Sequence, residues 1–424
     1  MADLTGAGPV TTRALLTVAA NSSPTTIGIV APTDTNYSPS QLAVEIWQLP
    51  INGTVYLADG ATRVTLLQNL TVAQLTGLEF APAPGASAQS GRFTYTVSDP
   101  SGASAFGAAR LSVELNSGHI LIVGPGQQYS TVGAAIDASQ NGDTVLVQAG
   151  NYINDFATIN TDITLQGVGG MVNMVGTEQI PNGKAILVTN GDDTISNFSF
   201  SGAQVADGNG AGIRYQAGHL ILNNDYFHDN QEGLLAASNP SGTITINNSE
   251  FDHNGAGDGF THNLYVNEVG NLTIRNSYFH DAVVGHEIKS RADNTIIVNS
   301  RIQDGPTGTA SYEIDLPNGG NALIYGNVIE QGPLSQNPVI LSTGEEGNVY
   351  SNSHLTADFN TVLNDLTSSS VLAVRDSTGA TAELDGNDAY GFTPGHIVSG
   401  LFTASKNTLL TGEPALITTH PWLG

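Results

Sequence analysis

The 424-residue chain carries 38 acidic side chains against 12 Lys and Arg, a formal net charge of −26, and no cysteine. So anionic a chain argues against nucleic-acid and anionic-membrane partners, and the missing thiols exclude a disulfide framework, thiolate metal centres and cysteine nucleophiles. With 49 Gly, 40 % hydrophobic and only 12 % charged residues, the composition favours short strands and tight turns, and no apolar run approaches the ~18 residues of a membrane span.

The opening stretch MADLTGAGPVTTRALLTVAANSS has no basic segment followed by an apolar one, so it does not read as a secretory signal peptide. A cysteine-free, acidic, Gly- and Asn-rich chain of this kind is expected to be a secreted bacterial protein exported by a signal-peptide-independent route, or a piece of a longer one. Residues 1–116 then alternate strands with turn signals: QLAVEIWQLP, GTVYLADG, TRVTLLQNL, GRFTYTVSDPSG and AARLSVEL. This pattern predicts a small antiparallel β-sandwich of immunoglobulin size. The stretch from Phe93 to Gly102, FTYTVSDPSG, followed by a closing strand, resembles the ending of bacterial cadherin-like modules. That resemblance implies a spacer or adhesive unit, with no catalytic role.

Residues 117–424 read differently. From Ile120 to Tyr152 the chain is ILIVGPGQQYSTVGAAIDASQNGDTVLVQAGNY. Ser130 or Thr131 can cap a short helix near residues 131–138, and GDTVLVQAG supplies a first buried strand. A solenoid must cover its open end, because its first coil otherwise exposes the core. This segment resembles the entrance of right-handed parallel β-helix proteins of the pectate-lyase-like superfamily, which implies the fold but no particular reaction. The expected fold is therefore all-β: a right-handed parallel β-helix, or solenoid, preceded by the sandwich and closed by an irregular cap from about residue 366.

Between residues 219 and 331 one phrase returns: LILNNDYFHDN, ITINNSEFDHN, LTIRNSYFHDA, IIVNSRIQDG and LIYGNVIEQG. Its central residues, Phe227, Phe251, Phe279, Ile302 and Ile329, are spaced by 24, 28, 23 and 27 residues, the length of one coil. Asn224, Asn248, Asn276 and Asn299 are predicted to stack at a corner in the left-handed conformation, their amides bonding along the stack. The length differences fall in the loop after the central residue, and loops on one edge of a regular scaffold build binding grooves.

The strands after that loop, GLLAA, HNLYVNE, HEIKSR, YEIDLP and PVILST, align by Leu235, Leu264, Ile288, Ile314 and Ile340 as the inward column. Alternation then sends Asn263, Glu287 and Glu313 outward in one row, Tyr265, Lys289 and Asp315 in the next, and Asn267 with Arg291 in a third. His262, His286 and Tyr312 stand at the edge. Such a patch suits an acidic polysaccharide. Lys289 and Arg291 can bind a uronate carboxylate; Lys289, His286 or Tyr265 can take the proton on the adjacent carbon; Tyr265 or His262 can protonate the leaving oxygen. Asn263, Asn267, Glu287, Glu313, Asp315 and Tyr312 are the expected substrate-binding residues.

The stretch EIKSRADNTIIVNSRI resembles a segment of β-helix alginate and dermatan lyases, which implies Lys289 as catalytic base with Glu287 and Ser290 as companions. GHEIKSR is also similar to a stretch of mannuronan C5-epimerases, mapping onto His286, Ser290 and Arg291. The next coil, SYEIDLPNGG, departs from the lyase pattern, so no partner arginine is assigned. β-Elimination is the leading expectation. Epimerisation, inverting hydrolysis by Glu313 and Asp315, which needs carboxyls ~6.5–9.5 Å apart, and non-catalytic polysaccharide binding stand as alternatives. Asp225, Asp229, Asp252 and Asp258 are candidate Ca²⁺ ligands, although no EF-hand or RTX repeat is present. The turn Gly344, Glu345, Glu346, Gly347 is expected to be exposed, and the chain is expected to act as a monomer.

Overall fold

The computed structural model describes residues 8–19, 22–83, 86, 90–113, 119–347, 349–351, 353–366, 372–393 and 397–421. The chain falls into two compact units, residues 1–119 with 141–143, and residues 120–140 with 144–424.

In the first unit a five-stranded sheet runs in the order Ala14–Val18, Ser104–Val113, Ser90–Ser98, Ala43–Gln48, Asn69–Leu70, and a three-stranded sheet joins Thr25–Thr26, Glu79–Pro82 and Gly53–Tyr56. The pairings are antiparallel except that Ala14–Val18 runs parallel to Ser104–Val113, a departure from the wholly antiparallel sandwich expected. Alternation along Ser90–Ser98 buries Phe93, Tyr95 and Val97 completely, with Ile46, Leu75 and Phe80. Gly107 lies opposite Tyr95, where any Cβ would collide with the phenol ring.

The second unit is a right-handed parallel β-helix. Each coil contributes a strand to three parallel sheets. Sheet A begins with Ile120–Val123 and Thr144–Ile153 and continues through His219–Asn223, Asn239–Asn247, Val269–Arg275 and Asn294–Val298. Sheet B includes Phe198–Ser201, Tyr226–His228, Glu250–Asp252, Tyr278–His280, Arg301–Gln303 and Val328–Gln331. Sheet C has ten strands, among them Ala211–Tyr215, Glu232–Ala236, Leu264–Val266, Ile288–Ser290, Ile314–Leu316 and Val339–Thr343.

The repeated phrase supplies the core of sheet B. Phe227, Phe251 and Phe279 are in register and fully buried, and their rings stack at 4.4 and 4.6 Å between centroids. In sheet C the inward column is Leu234, Leu264, Ile288, Ile314 and Leu341. The expectation of Leu235 and Ile340 in that column is corrected by one residue at each end. Leu235 instead packs on the outer face with Val188 and Tyr265.

Asn224, Asn248, Asn276 and Asn299 do take the left-handed conformation, with φ of 56°, 49°, 50° and 51°. The principal side-chain ladder, however, runs one residue later. Ser249, Ser277, Ser300, Asn327, Asn360, Asn387 and Asn407 each accept a hydrogen bond from the backbone N–H of the preceding member or its equivalent, at 2.8–3.2 Å. The left-handed column bonds along the stack where Asn224 Nδ2 donates to Asn197 Oδ1 at 3.4 Å, and the next column carries the longer ladder.

At the entrance, helix Val132–Ala138 is capped by Thr131, whose hydroxyl accepts from the Ala134 N–H at 3.2 Å, and it buries Val132, Ala135 and Ile136. At the other end regular strands continue through Leu372–Asp376, Thr381–Asp385, Asp388–Tyr390, Leu401–Ser405 and Thr408–Leu409, so the irregular cap expected from about 366 is corrected. The apolar phrase fades there while the Asn ladder persists. The terminal segment then returns along sheet B, where Arg301 donates to the carbonyls of Ile417 and Thr419 at 2.6 and 2.5 Å. No described helix is long and apolar enough to cross a membrane.

Candidate functional site

Three consecutive strands of sheet C are only three residues long, so the central residue of each is the one side chain they present outward. Register pairs Tyr265 with Lys289 and Lys289 with Asp315, and the row continues to Ser342 and Arg375. Rigid sheet geometry thus fixes the order in which these groups stand, about 4.8 Å apart from coil to coil.

Arg291 leaves the strand just after Ser290 and folds back over this row. Its Nε donates to the Tyr265 hydroxyl at 3.0 Å, Nη1 to Asn318 Oδ1 at 2.5 Å and Nη2 to Glu346 Oε2 at 2.6 Å. Lys289 Nζ lies 3.6 Å from Asp315 Oδ2, 3.4 Å from Glu346 Oε1 and 5.7 Å from the centre of the Tyr265 ring. Both cations are largely covered, with side chains 13 % and 17 % exposed, whereas the Glu346 side chain is 49 % exposed. Burial would lower the Arg291 pKa, but its bonds to Glu346 and Tyr265 outweigh this and raise it. Burial would likewise raise Glu346, and its contacts with Arg291 and Lys289 bring it below the ordinary value instead. Asp315 is pushed up to about 6 by burial, with Lys289 opposing.

His262, His286 and Tyr312 form a buried layer beside the row. The two imidazoles stack at 4.5 Å, Tyr265 meets His262 edge-on at 5.4 Å, and Tyr312 meets His286 edge-on at 5.0 Å. Burial, then the neighbouring His286 and cations, hold His262 well below its ordinary value, and burial with Lys289 brings His286 down to about 3. Both rings are therefore neutral near pH 7. His262 as proton donor to the leaving oxygen, and His286 as base, would each act against this shift, which favours the neutral ring and weakens it as a base.

The row Asn263, Glu287 and Glu313, expected to face outward, is fully buried. These residues sit at the corner where the loop enters the strand, and their side chains turn into an interior polar seam. Asn254 Nδ2 donates to Asn263 Oδ1 at 2.7 Å, Asn263 Nδ2 donates to Glu287, and Glu287 also accepts from the Ala282 N–H at 2.8 Å. Glu287 and Glu313 are raised well above ordinary carboxyl values by burial and by neighbouring acids. None of the three can touch a polymer on the surface, and the pairing of Glu313 with Asp315 for inverting hydrolysis is corrected with them. Asn267 is half-buried at the outer edge, its side-chain oxygen accepting from the Glu268 N–H at 2.9 Å.

The expected calcium ligands do not converge. Asp225 is buried and accepts from the Phe198 and Asn223 N–H groups, while Asp258 accepts from those of Phe260 and Thr261. Asp252 ends strand Glu250–Asp252 of sheet B, and Asp229 follows strand Tyr226–His228 in a left-handed turn.

Several residues of the site carried no repeating signal. Glu345 and Glu346 belong to the turn after Val339–Thr343, and Glu345 pairs with Arg375 and accepts from the Tyr312 hydroxyl at 2.7 Å. Arg375 also donates to the Tyr312 oxygen at 2.6 Å. Asn318 anchors Arg291, and buried Glu232 accepts from the His262 N–H at 2.9 Å. Phe260, two residues before His262, is 81 % exposed.

No protein-family model matches the chain, and no curated protein sequence matches it. Among solved structures it is similar to an alginate lyase from Paenibacillus sp. str. FPU-7, at 18 % identity over 66 % of this chain and 96 % of that one, with a TM-score of 0.46. It is similar to the pectate lyase Pel9A at 14 % identity over 69 % of this chain and 79 % of that one, TM-score 0.36. A family 28 exopolygalacturonase from Yersinia enterocolitica aligns at 11 % identity over 93 % of this chain and 100 % of that one, TM-score 0.31.

Proposed function

We propose that the protein is a secreted enzyme that cleaves an acidic, uronate-containing polysaccharide by β-elimination on the outer face of sheet C. One observation carries this reading: Tyr265 lies beside two cations of the next coil, Lys289 and Arg291, with Lys289 Nζ 5.7 Å from its ring centre and Arg291 Nε 3.0 Å from its hydroxyl oxygen. Because that oxygen already accepts from a guanidinium, its own proton is free to be given outward, and the resulting phenolate remains bonded to a positive charge.

In the reaction Lys289, having first released its resting ammonium proton to solvent, takes as a neutral amine the proton from the carbon beside the uronate carboxylate, and Arg291 binds the carboxylate as negative charge spreads onto it. The bond to the neighbouring glycosidic oxygen then breaks, a carbon–carbon double bond forms, and Tyr265 gives its proton to the departing oxygen. The lysine ammonium so formed is held by Asp315, 3.6 Å away. His262 and His286 are positioning residues that support Tyr265 and the strand edge. The Glu346 carboxylate touches both Lys289 and Arg291 and so stands where a substrate carboxylate would bind. Its turn, flanked by Gly344 at φ 72° and Gly347 at φ 113°, must yield before a polymer settles.

The test is incubation with alginate, pectate and glycosaminoglycans while following the ultraviolet absorbance of a conjugated unsaturated uronate. A rise that Lys289→Ala abolishes is expected. Chain cleavage without absorbance would mean hydrolysis, and altered uronate stereochemistry without cleavage would mean epimerisation. Binding with no change in the polymer would leave an adhesive module, a role that also suits the cadherin-like resemblance of residues 1–116.

A further inference from the structure

The outer face of sheet B carries a second constellation, unrelated to the polymer site. Its three phrases read Tyr226-Phe227-His228-Asp229, Glu250-Phe251-Asp252-His253 and Tyr278-Phe279-His280-Asp281. The phenylalanines point inward, so parallel register stacks His228 on Asp252 and Asp252 on His280, and stacks Tyr226 on Glu250 and Glu250 on Tyr278. The following residues, Asp229, His253 and Asp281, all turn left-handed with φ of 54°, 49° and 53°. Histidine and carboxylate thus alternate both along the chain and across the coils.

The ligand atoms converge. Glu250, Asp252 and His280 each place one such atom within 4.8 Å of the others. His280 Nε2 is 3.1 Å from Glu250 Oε1, and its Nδ1 is 3.2 Å from Asp252 Oδ1 and 2.8 Å from Asp281 Oδ2. A fourth candidate arrives from the returning C-terminal segment: His420 Nδ1 lies 2.7 Å from Glu250 Oε2. Arg301 holds that segment through Ile417 and Thr419 while its guanidinium caps the Tyr278 ring at 4.1 Å. Next along the His280 row is Gln303, 1 % exposed, with no hydrogen-bond partner for either side-chain atom among the described residues. A cluster that ends on a buried, unpartnered amide is built around more than its own hydrogen bonds.

We infer that this cluster binds a divalent transition ion of the zinc class through Glu250, Asp252 and His280, with His420, paired to Glu250, clasping the C-terminal segment to the solenoid. One imidazole with two carboxylates suits zinc, whose ligand atoms stand about 2.0–2.2 Å from the ion, better than the all-oxygen sites of calcium. The competing arrangement is an imidazolium. Burial would lower the His280 pKa, but its bonds to Asp281 and Glu250 push it up to about 10, so a proton can supply the countercharge that the ion would otherwise provide.

The experiment is calorimetric titration of the chelator-treated full chain with Zn²⁺ alone, and separately with Ca²⁺, read as stoichiometry and affinity. One zinc per chain is expected, with affinity falling about tenfold or more in His280→Ala and in Asp252→Asn. His420→Ala should weaken binding and remove the protection that zinc gives the last residues against proteolysis. Lys289→Ala should bind zinc as the wild type does, which separates this site from the polymer site. Equal affinity in wild type and His280→Ala, no saturable uptake, or a preference for Ca²⁺ would each overturn the inference in favour of the imidazolium ladder.

Discussion

The backbone N–H of His286 donates to Nδ1 of His262 at 3.0 Å, which ties two stacked imidazoles of adjacent coils to one another. With Nδ1 engaged as an acceptor and the ring held neutral by burial, His262 keeps its proton on Nε2. The strand edge beneath Tyr265 is therefore uncharged, and the proposed reaction assigns proton transfer to Lys289 and Tyr265.

Removing either group should cost turnover more than binding. Lys289→Ala and Tyr265→Phe are expected to lower kcat by roughly 10²–10⁴-fold, the usual range for an acid or base, while the unfolding midpoint stays close to the wild type. Arg291→Ala should raise KM and lower kcat together, because the guanidinium binds the carboxylate and also supports the phenolate. Steady-state kinetics on whichever polymer responds decides this, and an unchanged Lys289→Ala variant would remove the patch from the reaction.

The Glu346 turn makes the opposite prediction. Glu346→Gln removes the carboxylate that occupies both cations, so KM should fall and kcat/KM should rise, provided the turn is a competitor and not a support. The same substitution should make KM less sensitive to salt, since polymer and side chain no longer compete as charges.

Phe260 is exposed, flanks the site, and contributes nothing visible to the core. Phe260→Ala should leave the unfolding midpoint unchanged and raise KM for long polymers more than for short ones, as expected of an apolar platform under a sugar ring. Equal KM for Phe260→Ala and the wild type at every chain length would assign the ring no part in binding.

Stability should fall as pH rises above neutrality. Burial pushes Asp193 up to about 8, Asp304 and Glu330 to about 7, so the folded chain holds protons that the unfolded chain has already released. A group raised in this way stabilises the fold below its unfolded pKa and loses that contribution as pH climbs through the folded value. His262 and His286 act in the opposite sense, but only below their unfolded value near 6.5. Between about pH 6.5 and 8 the Asp193 contribution alone is on the order of 2 kcal/mol. Thermal melts across that window should show a falling midpoint, and Asp193→Asn should flatten the fall.

Much of this architecture was legible from the chain. The Phe227, Phe251 and Phe279 spacing announced the coils, and period-two alternation put Tyr265, Lys289 and Asp315 in one row, where register places them. The inward column slipped at Leu235 and Ile340 because three-residue strands carry too few alternations to pin the flanking register. Asn263, Glu287 and Glu313 were misjudged because they belong to a corner, where alternation no longer says which way a side chain points. Glu346 and Arg375 come from later coils with no recurring motif, and only the folded chain brings them to Arg291 and Tyr312.

The side-chain column from Ser249 to Asn407 has a mechanical consequence. Each rung bonds to its neighbour, so a lesion such as Asn360→Ala weakens one joint and leaves the rest of the stack intact. Pulled from its ends, the solenoid should unwind one coil at a time, releasing 23–28 residues per step across the coils from Phe227 to Ile329. At ~3.4 Å per residue, each release would lengthen the tether by roughly 80–95 Å, less the thickness of the coil itself. The β-helix is built to fail in instalments.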